Sequence, residues 1–288
     1  MTIGGVTIAM ASRDASLALA LQGPHRRFAA ASDSTPDITV QVGWEESRLK
    51  PNLEGDKKIF DSGGVWQLYR EEDLLSFYLS SPKFGSRPYA RATFSQDFTQ
   101  GVVSLRRDCF DPSVPHYPLE YPLDELLLTN WLALGRGVEV HACGLVDSDG
   151  AGYLFAGYSG AGKTTTARLW SNENGVSVLS DDRIILRKIG DAFWMHGTPW
   201  HGDEPLASPD RALLRRGFFL HHATKNAAVA VTGAQAVMEL FARSFPPFYH
   251  PRALDFTLSL LTDITETVPF MNLGCVPDDK LPDFVRAI

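Results

Sequence analysis

Cysteine is scarce in this chain. Its 288 residues hold three, Cys109, Cys143 and Cys275, which are widely separated and odd in number. That argues against a disulfide framework and suits a reducing cytosol, so a cytoplasmic protein is expected. No Lys/Arg-led apolar opening is present, so no secretory signal is readable, and no apolar run is long enough to span a bilayer. A membrane partner is therefore not expected. The net charge is −7 and no basic run occurs, which removes support for a nucleic-acid partner. His221, His222 and His250 lack the spacing of metal ligands and no cysteine cluster accompanies them, so no structural metal is expected. What remains is the composition of a globular protein, long enough for one large domain or two ordinary ones.

The most informative stretch is Gly157-Tyr158-Ser159-Gly160-Ala161-Gly162-Lys163-Thr164, which follows the apolar run Tyr153-Leu154-Phe155-Ala156. Glycine, four residues, then Gly-Lys-Thr is the spacing of a phosphate-binding loop. Glycines let the backbone turn so that successive N–H groups face phosphate oxygens. A helix beginning near Lys163 adds the positive end of its dipole. The spacing assigns Lys163 to the β- and γ-phosphates and the Thr164 hydroxyl to Mg²⁺, so ATP and Mg²⁺ are the expected cofactors. Gly157, Ser159, Gly160, Ala161, Gly162, Lys163, Thr164 and Thr165 form the expected nucleotide-binding set.

Downstream, Val176-Ser177-Val178-Leu179-Ser180 runs into Asp181-Asp182-Arg183. Acidic residues at a strand's end, one helix beyond a phosphate loop, have the form of the carboxylate that reaches the metal. Two adjacent carboxylates can divide the work, one holding the metal and the other accepting a proton from an attacking hydroxyl. His141 stands in an apolar strand, Val140-His141-Ala142-Cys143-Gly144, where a histidine is ordinarily a satisfied core residue.

Taken together, His141, the 157–164 loop and Asp181-Asp182-Arg183 resemble the catalytic domain of HPr kinase/phosphorylase and the related phosphoenolpyruvate-carboxykinase-like kinases. In that family a histidine strand, the phosphate loop, a helix and Asp-Asp-Arg occur in this order. The resemblance implies an α/β fold: a C-terminal P-loop kinase domain of HPr kinase/PEP carboxykinase type, preceded by a β-rich N-terminal domain. It implies phosphoryl transfer from ATP to a serine hydroxyl, with Asp181 as base, Asp182 and Thr164 as metal ligands, and Lys163 balancing charge. It also moves His141 into the active site. Thr165 stands where true HPr kinases usually carry glutamate, and their downstream Arg-Gly-x-Gly segment is not found. A divergent member is implied, with a serine-containing protein or peptide as acceptor. A free serine-like small molecule is the alternative acceptor, and a nucleotide-sensing protein without turnover is a third reading. Carboxykinase chemistry is disfavoured, because its second metal site and arginine set are missing.

The rest of the chain frames this site. Between Met1 and Phe110, short runs at Ile38–Trp44, Val65–Tyr69, Leu75–Leu79, Ala90–Phe94 and Val102–Leu105 predict a mainly antiparallel β layer with no catalytic constellation. Three prolines within 111–118 mark the boundary between a domain of residues 1–115 and one of 116–288. Helices are predicted over 122–134, 234–243 and 252–264, the last with Leu254, Leu258 and Leu261 on one face, and strands at Val138–Val146 and Val268–Leu273. The run Gly197-Thr198-Pro199-Trp200-His201-Gly202 reads equally as a loop over the site or as a turn packed by Trp200. His201, Arg211, Arg215 and Arg216 are candidate substrate contacts. A homo-oligomer is compatible with the sequence and not required by it.

Overall fold

The computed structural model describes residues 1–46, 49, 56–202 and 204–288. By contact the chain divides into two units, Met1 with Val6–Trp131, and Thr2–Gly5 with Leu132–Ile288. The first strand, β1 (Thr2–Ile3), groups with the second unit.

In the first unit the strands are β2 (Val6–Ser12), β3 (Ile38–Glu45), β4 (Lys57–Asp61), β5 (Trp66–Glu71), β6 (Leu74–Leu79), β7 (Ala90–Ser95) and β8 (Gln100–Arg106). They line up in the order β2-β3-β8-β7-β6-β5-β4. From β4 to β8 the chain is an antiparallel meander, while β3 pairs in parallel with both β2 and β8. The sheet is thus mixed, because β3 is entered and left by long connections rather than hairpins. Its alternation is readable in β3, where Ile38, Val40 and Val42 are buried and Thr39 and Gln41 are less so. The helix predicted over 122–134 forms as α1 (Leu123–Leu132), almost wholly within this unit.

The second unit carries the 157–164 loop. Its strands are β9 (Val138–Val146), β10 (Gly152–Ala156), β11 (Ser177–Ser180), β12 (Arg183–Ile189), β13 (Ala192–His196), β14 (Arg211–His222), β15 (Ala227–Val231) and β16 (Phe270–Cys275). The order is β10-β9-β12-β13-β14-β16-β15, β11 lies on β9, and β10 also pairs with β14, so the sheet folds back on itself. Four helices pack on it: α2 (Lys163–Ser171), α3 (Gly233–Phe241), α4 (Pro251–Thr267) and α5 (Leu281–Arg286).

All five residues of β10 are buried, which fits a strand covered on both faces. Leu154 and Ala156 face a cluster with Leu240, Leu260, Leu261 and Ile264 of α3 and α4. Tyr153 and Phe155 face the opposite cluster with Ala167 and Trp170 of α2 and Leu281 and Val285 of α5. The strand that delivers the loop is therefore clamped from both sides. In α4 the buried stripe is Ala253, Thr257, Leu260, Leu261 and Ile264. Leu258, expected on the inner face, is 41% exposed, because the stripe is rotated by the contact with α3. Among the described residues no helix is long and apolar enough to cross a membrane.

Candidate functional site

The loop leaves the end of β10 and enters α2 with Gly160 at φ +80° and Gly162 at φ +103°. Side chains other than glycine rarely occupy that region, and Gly162 is the residue from which the helix starts. Lys163, in the first turn, turns its ammonium back into the loop, donating to the carbonyls of Gly157 at 2.9 Å and Tyr158 at 3.2 Å. Burial holds its pKa below the usual lysine value, against the opposing charge of Asp182.

The acidic pair stands on the turn between β11 and β12, one strand from the loop. The Ser180 hydroxyl organises this turn: it donates to the Trp200 carbonyl at 2.9 Å and accepts from the N–H groups of Asp182 and Arg183 at 3.2 Å. The two carboxylates diverge. Asp181, 1% exposed, accepts from the Thr164 hydroxyl at 3.1 Å and from the Gly202 N–H at 2.9 Å. Asp182 faces the other way, 3.0 Å from His141 Nε2 and paired with the Arg183 guanidinium. Burial pushes the Asp182 carboxyl up, but the His141 hydrogen bond and the charges of Arg183, His141 and Lys163 outweigh it and hold it below the usual carboxylate range. Arg183 also reaches the buried Glu139 at 3.2 Å and stacks on the Phe245 ring at 4.3 Å.

These groups line a partly open cavity of about 460 Å³, with Ser159, Gly160, Gly162, Lys163, Thr164, Thr165, His141 and Asp182 on its walls. Ala161 packs into the core instead, and Gly157 contributes its carbonyl to Lys163. His141 is thus brought to the cavity rather than buried in the strand interior.

The Gly197–Gly202 run lies against the acidic turn. Thr198 Oγ1 donates to the Arg183 carbonyl at 2.7 Å, and Gly202 approaches Asp181 so closely that a Cβ there would fall 3.0 Å from Oδ2. Trp200 is buried, and the His201 ring bonds its own loop at the Gly202 carbonyl, 3.0 Å away. Arg211, Arg215 and Arg216 do not join the site. β10 and β14 are parallel, with Gly152 opposite Leu214 and Ala156 opposite Phe219, so those arginines belong to the end of the sheet remote from the loop.

The far end of β14 supplies a residue the sequence did not reveal. His222 lines the cavity and its Nε2 lies 2.7 Å from the Gly160 carbonyl. Two further groups come from the segment after α3. The Arg243 guanidinium stacks on the Tyr158 ring at 4.2 Å, and its carbonyl accepts from the His141 N–H at 2.6 Å. No local motif marks these positions, since only the register of β14 and a bridge from Ser244 to Val140 bring them near.

Among the described residues, no group of three or more His, Cys, Asp or Glu side chains could hold a metal alone. The Thr164 hydroxyl and Asp181 carboxylate are hard oxygen donors beside the loop. That set fits Mg²⁺, which takes one or two protein oxygens and completes its shell with phosphate and water.

No protein-family model and no curated protein matches the chain. Among solved structures it is similar to the Hpr(Ser) kinase/phosphatase from Coxiella burnetii, with 14% identity and a TM-score of 0.32 over 52% of this chain and 94% of that one. A score of this size marks a distant relation and adds nothing to the geometry above.

Proposed function

We propose that the protein is an ATP-dependent kinase that transfers the γ-phosphoryl group to a serine-type hydroxyl of a protein or peptide. The observation that carries this reading is the division of two adjacent carboxylates around one phosphate loop. Asp181 takes the Thr164 hydroxyl, and Asp182 takes His141 on the cavity wall. Nucleotide binding alone needs the first arrangement and not the second.

The geometry favours exchanging the roles that the resemblance implies for the two aspartates. Asp181 is buried against Thr164, so Thr164 and Asp181 would hold Mg²⁺, which when bound neutralises charge on the β- and γ-phosphates. Asp182 borders the cavity and is the better-placed base. Lys163 would leave the Gly157 and Tyr158 carbonyls for phosphate oxygens, exchanging neutral partners for charged ones. His141, donating from Nε2, orients the Asp182 carboxylate, which keeps lone pairs free for a third partner. As the acceptor oxygen bonds to the γ-phosphorus, the bond to the ADP oxygen breaks and the hydroxyl proton passes to Asp182. A carboxylate with a depressed pKa suffices, because phosphoryl transfer depends more on positioning and charge than on a strong base.

The test is transfer of label from γ-labelled ATP with Mg²⁺ to serine peptides, a host lysate and free serine. Lys163→Ala and Asp182→Asn should abolish label on peptide or protein. Asp181→Asn should weaken Mg²⁺-dependent ATP binding, whereas Asp182→Asn should leave it intact. The opposite pattern in the two aspartate variants returns Asp181 to the base. Label on free serine makes the acceptor a small molecule, and ATP binding without label supports a nucleotide-sensing protein. A wild-type chain that binds no ATP overturns the proposal.

A further inference from the structure

A second cavity, about 570 Å³ in volume, opens at the other end of the same sheet. Val146, Ser177, His196, Asp210 and Arg211 line it, together with Gly5. All of them belong to the second unit. Val146 pairs with Gly152, four residues back along β10 from the loop end, so the two cavities are separated by about 13 Å of strand.

His196 is the residue that demands an account. It is 3% exposed, lines the cavity, and its Nε2 has no hydrogen-bond partner among the described residues. Buried polar atoms in folded proteins are nearly always paired, and one left bare calls for a reason. Register explains its company. His196 lies opposite Ile185 of β12 and opposite Arg211 of β14, and Arg187 is two residues along β12 on the same face. Gly5, at φ +70°, closes over this face so tightly that a Cβ there would lie 3.1 Å from Arg187 Nη1 and 3.2 Å from the His196 ring.

The cavity lining holds one cationic and one anionic side chain, Arg211 and Asp210. Burial, then the charges of Arg187 and Arg211, push the His196 imidazole down to about 4, so the ring is neutral near pH 7. The lining carboxylate, Asp210, already accepts from the Ser208 hydroxyl at 2.7 Å. Arg211 spreads its guanidinium over the Trp194 ring at 4.7 Å, which fixes it without neutralising it. With no bond fixing the proton to Nε2, the neutral ring can carry it on Nδ1 and donate from there.

We infer that this cavity is an anion site, holding a small oxyanion between the Arg211 guanidinium, the Ser177 hydroxyl and the His196 ring. Phosphate and a small carboxylate share that chemistry. The inference is independent of the kinase reading, since none of these residues belongs to the phosphate-loop cavity.

The full chain is titrated near pH 7 with inorganic phosphate and, separately, with citrate. The readout is the His196 imidazole resonance, assigned by its loss in His196→Gln. One of the two anions should shift it saturably and so identify the source. The shift should persist in Lys163→Ala, which removes phosphate bound at the loop. In Arg211→Met, an exposed position, affinity should fall at least about tenfold. No saturable shift from either anion up to about 10 mM, ten times the midpoint of a millimolar site, overturns the inference. So does an unchanged affinity in Arg211→Met.

Discussion

Each unit of the protein contains a histidine–aspartate pair, and the two are built for opposite ends. In the first unit His25 Nε2 lies 2.6 Å from Asp124, whose carboxylate is fully buried at the start of α1. Tyr117 adds a hydroxyl at 3.4 Å, its ring packs against His25 at a tilt, centroids 4.6 Å apart, and the Glu125 N–H donates to the other oxygen at 2.8 Å. In the second unit His141 and Asp182 are 3.0 Å apart and about a quarter exposed, on the wall of a cavity that also holds Lys163. The side chains are the same; what differs is access and the neighbouring charge. A closed pair can only join elements, whereas an open pair beside an ammonium can take part in chemistry.

The sharpest way to break this contrast is to neutralise both carboxylates. Asp182→Asn should lower phosphoryl transfer by about 10²–10⁴-fold, the range of a general base. It should lower the melting temperature less than Asp124→Ala does, since its part-exposed contacts with His141 and Arg183 are lost but solvent reaches them. In Asp124→Ala the effect should fall on stability instead. Removing one partner of a buried pair costs about 3–5 kcal/mol, read as a shift in the denaturation midpoint, while turnover per folded molecule stays the same. If Asp124→Ala abolishes turnover in a folded protein, or Asp182→Asn unfolds it, the two pairs do not have the roles assigned to them.

The glycine-rich turn at 157–164 and the helix after it were legible because their physics is local: the glycine spacing, the preceding apolar run and Lys163 lie within a dozen residues. The turn at Asp181-Asp182 was legible for the same reason. How the carboxylates divide was not, because Gly202, whose N–H donates to one oxygen of Asp181, lies in a separate loop. His222 and Arg243 were missed since only strand register and a bridge bring them to the site. In the first unit the meander followed from alternation, but the parallel placement of β3 depends on long connections that no residue pattern encodes. Leu258 shows the limit of helical periodicity, for the stripe that α4 buries is chosen by the partner helix.

A third histidine, this one buried, extends the comparison, since His196 has cationic rather than anionic company. Its folded pKa, about 4, lies below the ordinary value of 6.5. Between those values the unfolded chain binds the extra proton and the folded chain does not, so stability rises with pH there. The contribution is complete above about pH 6.5 and is lost as pH falls towards 4, on the order of 3 kcal/mol in all. Urea denaturation of His196→Phe and wild type across that window should show wild type losing stability relative to the variant as pH falls. A constant difference would mean that His196 does not titrate between the two states.

The smallest effect belongs to Tyr117→Phe, which asks how much of the closed pair is redundant. The hydroxyl lost is 3.4 Å from Asp124 Oδ2 and 3.3 Å from the Met1 sulfur, a long bond and a weak acceptor. Burial, reinforced by the Asp124 charge, pushes the phenol well above its usual pKa, so it remains a neutral donor throughout the working range. A neutral donor to a buried carboxylate would ordinarily contribute about 1.5–3 kcal/mol, but this length puts it nearer 0.5–1 kcal/mol. Asp124 keeps its short contact with His25 and the Glu125 N–H, so no charge is stranded by the substitution. The denaturation midpoint should therefore move slightly and phosphoryl transfer not at all. A loss comparable to that of Asp124→Ala would show that the three groups act as one unit, and that closure of the pair rests on tyrosine as much as on histidine.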